Sequence, residues 1–272
     1  MAITNVYANL TDFIARQRIA ATDTTLIGLA GLWLEAASRQ IDEYCGRKFY
    51  TTVETRYLTP ALELMVDVEA DLVSVTTLKT DPSGARVYDV TWSSTDYDLW
   101  PDNARNHTPA KPYLALKVTP FTTQYFPRIA RGVQIVGSFG YSDQKVAVST
   151  LTAGVDASTV TIPVASGALF KVAQIIRVDA EDMALDAISS NNLTVRRGMN
   201  GTTAASHLSA AVVSAYTFGA IEEATHMLAS RLKQRKDTPL GVSANTLLGQ
   251  LTVKAPKDED ILALLEGYRR LI

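Results

Sequence analysis

Only one cysteine, Cys45, occurs among 272 residues, so no disulfide can form within the chain. A lone thiol suits a reducing compartment. Cys45 precedes Gly46, Arg47 and Lys48 with no base beside it, and the expected role is a small residue packed at a helix end rather than a nucleophile. Histidine is almost as scarce: there are three, His107, His207 and His226. No two have the spacing of metal ligands on a helix, and no cysteine joins them. His207 is expected to stabilise a turn, His226 to be half-buried on a helix, and His107 to lie in a polar loop. Excess positive charge is also missing. Lys and Arg total 26 against 28 Asp and Glu, for a net charge of −2. That balance excludes a global positive field for tight, sequence-blind DNA binding. No apolar run approaches the roughly 20 residues that span a bilayer. The N-terminal stretch lacks the charged start and continuous apolar segment of a signal peptide. The expectation is a soluble protein, made and used without secretion.

Sites for chemistry are missing too. "GVSANTLLG" has neither the lysine nor the helix context of a phosphate-binding loop, and no Gly-x-Ser-x-Gly elbow occurs. The acids of Asp179-Ala180-Glu181-Asp182 and Asp96-Tyr97-Asp98 could bind a hard cation, but solvated acids are the expected state. No catalytic residue, cofactor or metal is expected.

What the chain does have is apolar patterning. Hydrophobic residues make up 47% of it, enough for a large core. A short helix is expected over Leu10–Ile19, capped by Thr11 or Asp12. A long amphipathic helix follows, its stripe formed by Leu26, Leu29, Trp33, Ala37, Ile41 and Tyr44. Thr24 can cap its start, and Gly46 can take the left-handed turn that ends it. Gly28 and Gly31 lie inside this helix, each costing about 1 kcal/mol against alanine. Close approach of another helix, from a neighbouring subunit if the chain oligomerises, would offset that; a tolerated local weakness is the alternative.

From Tyr50 to Tyr141 the pattern is β. The expected strands are Tyr50–Tyr57, Leu62–Val68, Leu72–Leu78, Val87–Trp92, Tyr97–Trp100, Tyr113–Val118 and Val133–Phe139, with a turn at Asp81-Pro82-Ser83-Gly84. Short strands with turns between them argue for a sandwich or barrel. Residues 146–214 carry a second run of β patterning that ends in "RGMNGTTAASH". "FGY" and "TFGA" bracket it, as expected of a module inserted at a loop tip. Helix returns over Ala220–Lys236 with a stripe of Ile221, Ala224, Leu228 and Leu232, stopped by Asp237-Thr238-Pro239-Leu240-Gly241. A loose stretch from Val242 to Ala255 leads to a last short helix. Asp258, Glu259 and Asp260 stand at its start and Arg269-Arg270 at its end, both favourable to the helix dipole.

The fold class expected is α+β. N- and C-terminal helices form a bundle, with a β-sandwich or barrel-like domain and an inserted small β module. The divisions fall at 1–49 (helices), 50–145 (β domain), 146–215 (inserted module), 216–241 (helix completing the core) and 242–272 (flexible arm with a short docking helix).

Four pieces, in this order, resemble the head–tail connector (adaptor) proteins of tailed bacteriophages: "IDEYCGRKFY", "VSVTTLKTDPSG" with "DYDLWP", "VQIVGSFGY" leading to "AIEEATHMLASRLKQRKDTPLGV", and "DEDILALLEGYRRLI". The resemblance covers most of the chain outside the insert, a module the compact form of the family lacks. It implies a homo-oligomeric ring, usually of twelve subunits, under the portal vertex of a capsid. Such a ring extends the DNA channel and offers a platform for a tail or stopper protein. The protein would then be a virion component without enzymatic activity, contacting portal protein and, non-specifically, channel DNA, but no membrane.

Within that family the arm residues Ile261, Leu264, Leu265, Tyr268, Arg269 and Arg270 are the expected portal contacts; packing of this helix on its own subunit is the alternative. Arg231, Lys233 and Lys236 either line a lumen or simply offset a helix dipole. Gly28 and Gly31 are the candidates for packing between subunits. Two rival classes stand beside this reading. One is a tail-tip or baseplate protein gripping carbohydrate through Trp92, Tyr97 and Trp100. The other is a glycosidase built from two scattered carboxylates.

Overall fold

The computed structural model describes residues 3–237, 242–245, 250–253 and 259–270. The chain divides into two compact units. One contains Arg47–Gln144 with Asn200–Thr202, and the other contains the helices and a second sheet.

In the helical unit, α1 (Leu10–Arg16) starts at Asn9, whose side chain accepts the Asp12 N–H at 2.8 Å. The cap is therefore Asn9, not Thr11 or Asp12, and the helix ends short of Ile19. Helix α2 (Thr24–Cys45) is capped by Asp23, which accepts the Leu26 N–H at 2.8 Å. It ends at Gly46, which takes φ 65° and returns its N–H to the Asp42 and Glu43 carbonyls. The buried face of α2 is Ala30, Gly31, Leu34, Ala37, Ser38, Ile41 and Cys45. Leu26, Leu29, Trp33 and Tyr44, expected on that face, are only half-buried. The stripe is rotated because small residues admit close neighbours. Ser38 Oγ, for instance, accepts the Tyr7 N–H at 3.1 Å and donates to the Leu34 carbonyl at 2.8 Å.

The first sheet contains β1 (Thr52–Leu58), β2 (Met65–Thr80), β3 (Val90–Thr91), β4 (Tyr97–Trp100), β5 (Tyr113–Val118) and β6 (Val133–Phe139). It is antiparallel, ordered β1-β6-β2-β5-β4 with β3 on β2. It does not close into a barrel. The two strands expected over 62–78 are one strand of 16 residues. Its first part pairs with β5 and its second, from Leu72 to Thr80, with β6. Glu69, at φ 56°, stands between them and lets one strand serve two neighbours. Leu72, Leu78, Leu116, Phe126, Val133 and Ile135 centre the core. The Asp81 carboxylate accepts the Ser83 and Gly84 amides, as a Pro-Ser-Gly turn requires; the Ser83 hydroxyl and these amides hold its pKa below the usual range.

The second sheet contains β7 (Lys145–Thr150), β8 (Thr161–Pro163), β9 (Ile175–Val178), β10 (Glu181–Ser189), β11 (Asn192–Met199) and β12 (Val212–Tyr216). Its order is β7-β12-β9-β10-β11-β8, antiparallel throughout. Entry strand β7 and exit strand β12 lie side by side, with Lys145 opposite Tyr216. Its core includes Ile162, Val164, Ile176, Val178, Met183, Leu193 and Val213.

Helix α3 (Ala220–Asp237) buries Ile221, Ala224, Thr225, His226 and Ala229. Leu228 and Leu232 are half-buried. The stretch expected to be loose carries a hairpin, β13 (Val242–Asn245) on β14 (Gln250–Val253). Thr238–Gly241, Ala255 and Asp258 lie outside the described residues. Helix α4 (Glu259–Leu265) runs into a 3-10 turn at Glu266–Tyr268. Helix α2 packs on α1 and α3, and α3 on α4.

Candidate functional site

The C-terminal element sits against its own chain. Ile261 and Leu265 are each 2% exposed, placed there by the spacing of four that puts both on one face of α4. Arg231 on α3 donates to Asp260 at 2.7 Å, the Arg270 N–H reaches the Cys45 carbonyl at 2.8 Å, and Tyr44 donates to Glu266 at 3.1 Å. Leu264, Tyr268 and Arg270 are half-buried, while Leu262 and Arg269 face outward.

The basic run of α3 is split by its partners. Arg231 is committed to Asp260. Lys233 Nζ lies 3.3 Å from both the Gln17 carbonyl and its side-chain oxygen. Lys236 is exposed, together with Arg235. The two helix glycines differ. A Cβ on Gly31 would meet the Ile3 side chain at 2.4 Å, so an N-terminal residue of the same chain fills that space. A Cβ on Gly28 would meet nothing within 4 Å among the described residues. Gly28 lines a cleft of about 450 Å³ with Ile27, Leu32, Val172, Leu185 and Asp186.

The acids of the second sheet are taken up by protein donors. Glu181, 1% exposed, accepts from Arg197 Nε at 2.7 Å and Nη2 at 2.8 Å, and from the Gly198 and Ala205 amides at 2.9 Å. His207 bridges Glu181 at 3.0 Å and Asp179 at 2.7 Å. Burial opposes ionisation of Glu181, but Arg197, the two amides and His207 outweigh it and lower its pKa to about 2. Asp182 accepts from Arg177 and from Tyr216, each at 3.0 Å. The "RGMNGTTAASH" segment thus wraps one buried carboxylate and leaves it no open face for substrate. His207 ties down a turn, and does so through two acids.

Helices α1 and α3 hold a different cluster. His226 is 2% exposed rather than half-buried, and among the described residues neither ring nitrogen has a hydrogen-bond partner. Its ring lies parallel to Phe13, with centroids 6.1 Å apart. Burial, with the Arg16 charge adding to it, lowers its pKa to about 4, so the ring is neutral near pH 7. One atom each from Asp12, Glu222 and His226 lies within 4.8 Å of the others. Burial and the charge of Asp12 raise the Glu222 pKa. Glu222 and His226, four apart, share a helix face that could have been read from sequence. Asp12 joins them only through the packing of α1.

The aromatics expected to grip carbohydrate do not form a face. Trp92 is buried, stacked on Phe126 with centroids 4.7 Å apart, and donates to Thr80 Oγ1 at 3.0 Å. Trp100 lies under Lys117 Nζ, 3.1 Å from its ring centroid. The exposed apolar side chains lie elsewhere. Bonds from Phe126 N–H to the Glu63 carbonyl (2.8 Å) and from Val118 N–H to the Leu64 carbonyl (2.9 Å) lay segment 62–64 beside 118–126. There Leu62, Leu64, Phe121 and Tyr125 are 61%, 68%, 99% and 52% exposed. Read as strand residues, Leu62 and Leu64 should be half-buried; they are exposed because β2 begins only at Met65.

No family model matches this chain, and no curated protein matches it. Among solved structures, one described as "Neck of empty GTA particle computed with C6 symmetry" is similar at 12% identity and a TM-score of 0.45, over 100% of this chain and 94% of that one.

Proposed function

We propose that the chain is a structural head–tail connector of a phage-like virion. It assembles as a ring, usually of twelve subunits, docks on portal protein, extends the DNA channel and presents a platform for a tail or stopper protein, with no chemistry of its own. The observation that carries this reading is the exposure of Leu62, Leu64, Phe121 and Tyr125 on two segments joined by backbone hydrogen bonds. Exposed large apolar side chains that are close together mark surfaces that another protein covers. The four sequence pieces in connector order supply the identity of the assembly. In this reading Leu264, Tyr268, Arg269 and Arg270 make the portal contact, and Ile261 and Leu265 anchor α4 to its own chain. Lys236, exposed beside Arg235, is the candidate positioned to meet channel DNA, a weak contact that suits a sliding polymer. Gly28, with open space above it, admits a neighbouring subunit more readily than Gly31.

The test is light scattering and electron microscopy of the purified chain with portal protein. The expected result is a ring on the portal. A monomer that ignores portal refutes the proposal.

A further inference from the structure

We infer that Asp12, Glu222 and His226 form a binding site for a first-row divalent transition-metal ion, Zn2+ above others, which fastens α1 to α3.

The argument begins with His226. A buried imidazole whose two nitrogens both lack partners is costly, because polar groups removed from water normally recover a hydrogen bond or a ligand. A neutral imidazole presents a lone pair, the form that binds metal. Two carboxylates from separate elements converge on it, Glu222 one helical turn before it on α3 and Asp12 on α1, with a ligand atom of each of the three within 4.8 Å of the others. Nothing in apolar packing requires two acids to converge on an unpartnered histidine.

The donor set fits one class of ion. An imidazole nitrogen with two carboxylate oxygens suits Zn2+ and its neighbours. Ca2+ and Mg2+ prefer six or more oxygens, and the nitrogen serves them poorly. Ligand atoms about 2.0–2.2 Å from Zn2+ stand roughly 3–3.5 Å apart. The atoms here lie within 4.8 Å of one another, so side-chain rotation by about an ångström closes the site.

The surroundings are built to hold the acids in place. Asn9 Nδ2 donates to Asp12 at 2.9 Å and to Glu222 at 3.4 Å, the role an outer-sphere partner plays at metal sites. Lys171 pairs with Asp12 and so competes with the metal for that carboxylate. The two acids and Lys171 sum to a net negative charge beside a neutral ring, which a dication reverses. The Arg16 charge also bears on His226, and Glu223 pairs with it at 2.7 Å.

The experiment uses the full chain stripped with chelator and titrated with Co2+, a spectroscopic stand-in for Zn2+, with thermal melts in Zn2+ and in Mg2+. A visible d–d absorption saturating at one equivalent and displaced by Zn2+ is expected, with a higher Tm in Zn2+ but not in Mg2+. Asp12→Asn and Glu222→Gln, which keep shape and lose charge, should each weaken Co2+ binding at least tenfold. Lys171→Met, which removes the competitor, should tighten it several-fold. His226→Gln should abolish the absorption. The inference is overturned if the folded chain gives no absorption and no Tm shift, if the carboxamide variants bind as tightly as the parent, or if Mg2+ shifts Tm as far as Zn2+.

Discussion

Replacing Glu181 by glutamine tests whether one buried carboxylate organises the second sheet. The change keeps the side chain's shape and removes its charge. Glu181 is 1% exposed and receives Arg197 through two nitrogens, the Gly198 and Ala205 amides and His207. In Glu181→Gln one oxygen becomes an NH2 group that points a donor at donors. The Arg197 guanidinium, whose side chain is 7% exposed, keeps its charge and loses its counter-ion. Breaking a buried pair on one side costs about 3–5 kcal/mol.

Acid should reproduce part of that loss in the parent protein. The folded pKa of about 2 lies below the ordinary 4.5, so the unfolded chain binds the proton first as pH falls. The stabilisation is complete above pH 4.5 and is lost as pH falls towards 2, on the order of 3 kcal/mol from this group. Urea unfolding of parent and variant, followed by tryptophan fluorescence and circular dichroism, measures both effects. The variant's midpoint should fall sharply, and its stability should depend less on pH in that window. A loss under about 1 kcal/mol at pH 7, in the range of an exposed ion pair, would refute the claim that this network holds the sheet.

Three further outcomes follow. In chelated protein the neutral, buried His226 should make stability fall as pH drops from 6.5 towards 4, by about 3 kcal/mol at most, since the unfolded imidazole takes the proton first. The groups that set this slope are Asp12, Arg16, Lys171, Glu222 and Glu223. His226→Phe should flatten it in urea melts run across that range. Gly137→Ala in β6 would place a Cβ 2.3 Å from the Ser74 carbonyl, backbone that cannot turn aside, and should lower stability by roughly 1–3 kcal/mol in the same assay. Leu64→Asp with Phe121→Ser should leave the urea midpoint within about 0.5 kcal/mol, as surface changes do, yet reduce assembly with portal measured by light scattering.

Several elements were legible because their signals are local. Strands β4, β5 and β6 have the limits their alternating patterns imply, and the left-handed Gly46 ends α2 where a glycine after an apolar stripe should. The errors share a cause. Of the stripe expected on α2, Ala37 and Ile41 are buried, while Leu29 and Trp33 give way to Ala30 and Ser38, because packing selects the small residues that let neighbours come close. The alternating patterns over 62–68 and 72–78 read as two strands, whereas a positive φ at Glu69 re-aims one strand between two partners. For α4 the spacing left open whether its apolar residues meet portal or their own chain, and it is the placement of α3 that turns Ile261 and Leu265 inward.

The sequence by itself determined helices α2 and α3 and strands β4, β5 and β6, that no disulfide forms within the chain, and that no phosphate loop or nucleophile elbow occurs in it. Those properties are written in neighbours along the chain, in periods of two and near four and in residue types present or missing. Only the tertiary structure decided that Asp12 meets Glu222 and His226, that Glu181 collects Arg197 and His207, and that Glu63 and Phe126 are joined by a backbone hydrogen bond. These pairs lie from 16 to more than 200 positions apart. What joins them is the folding of separate elements onto one another, which no local period records.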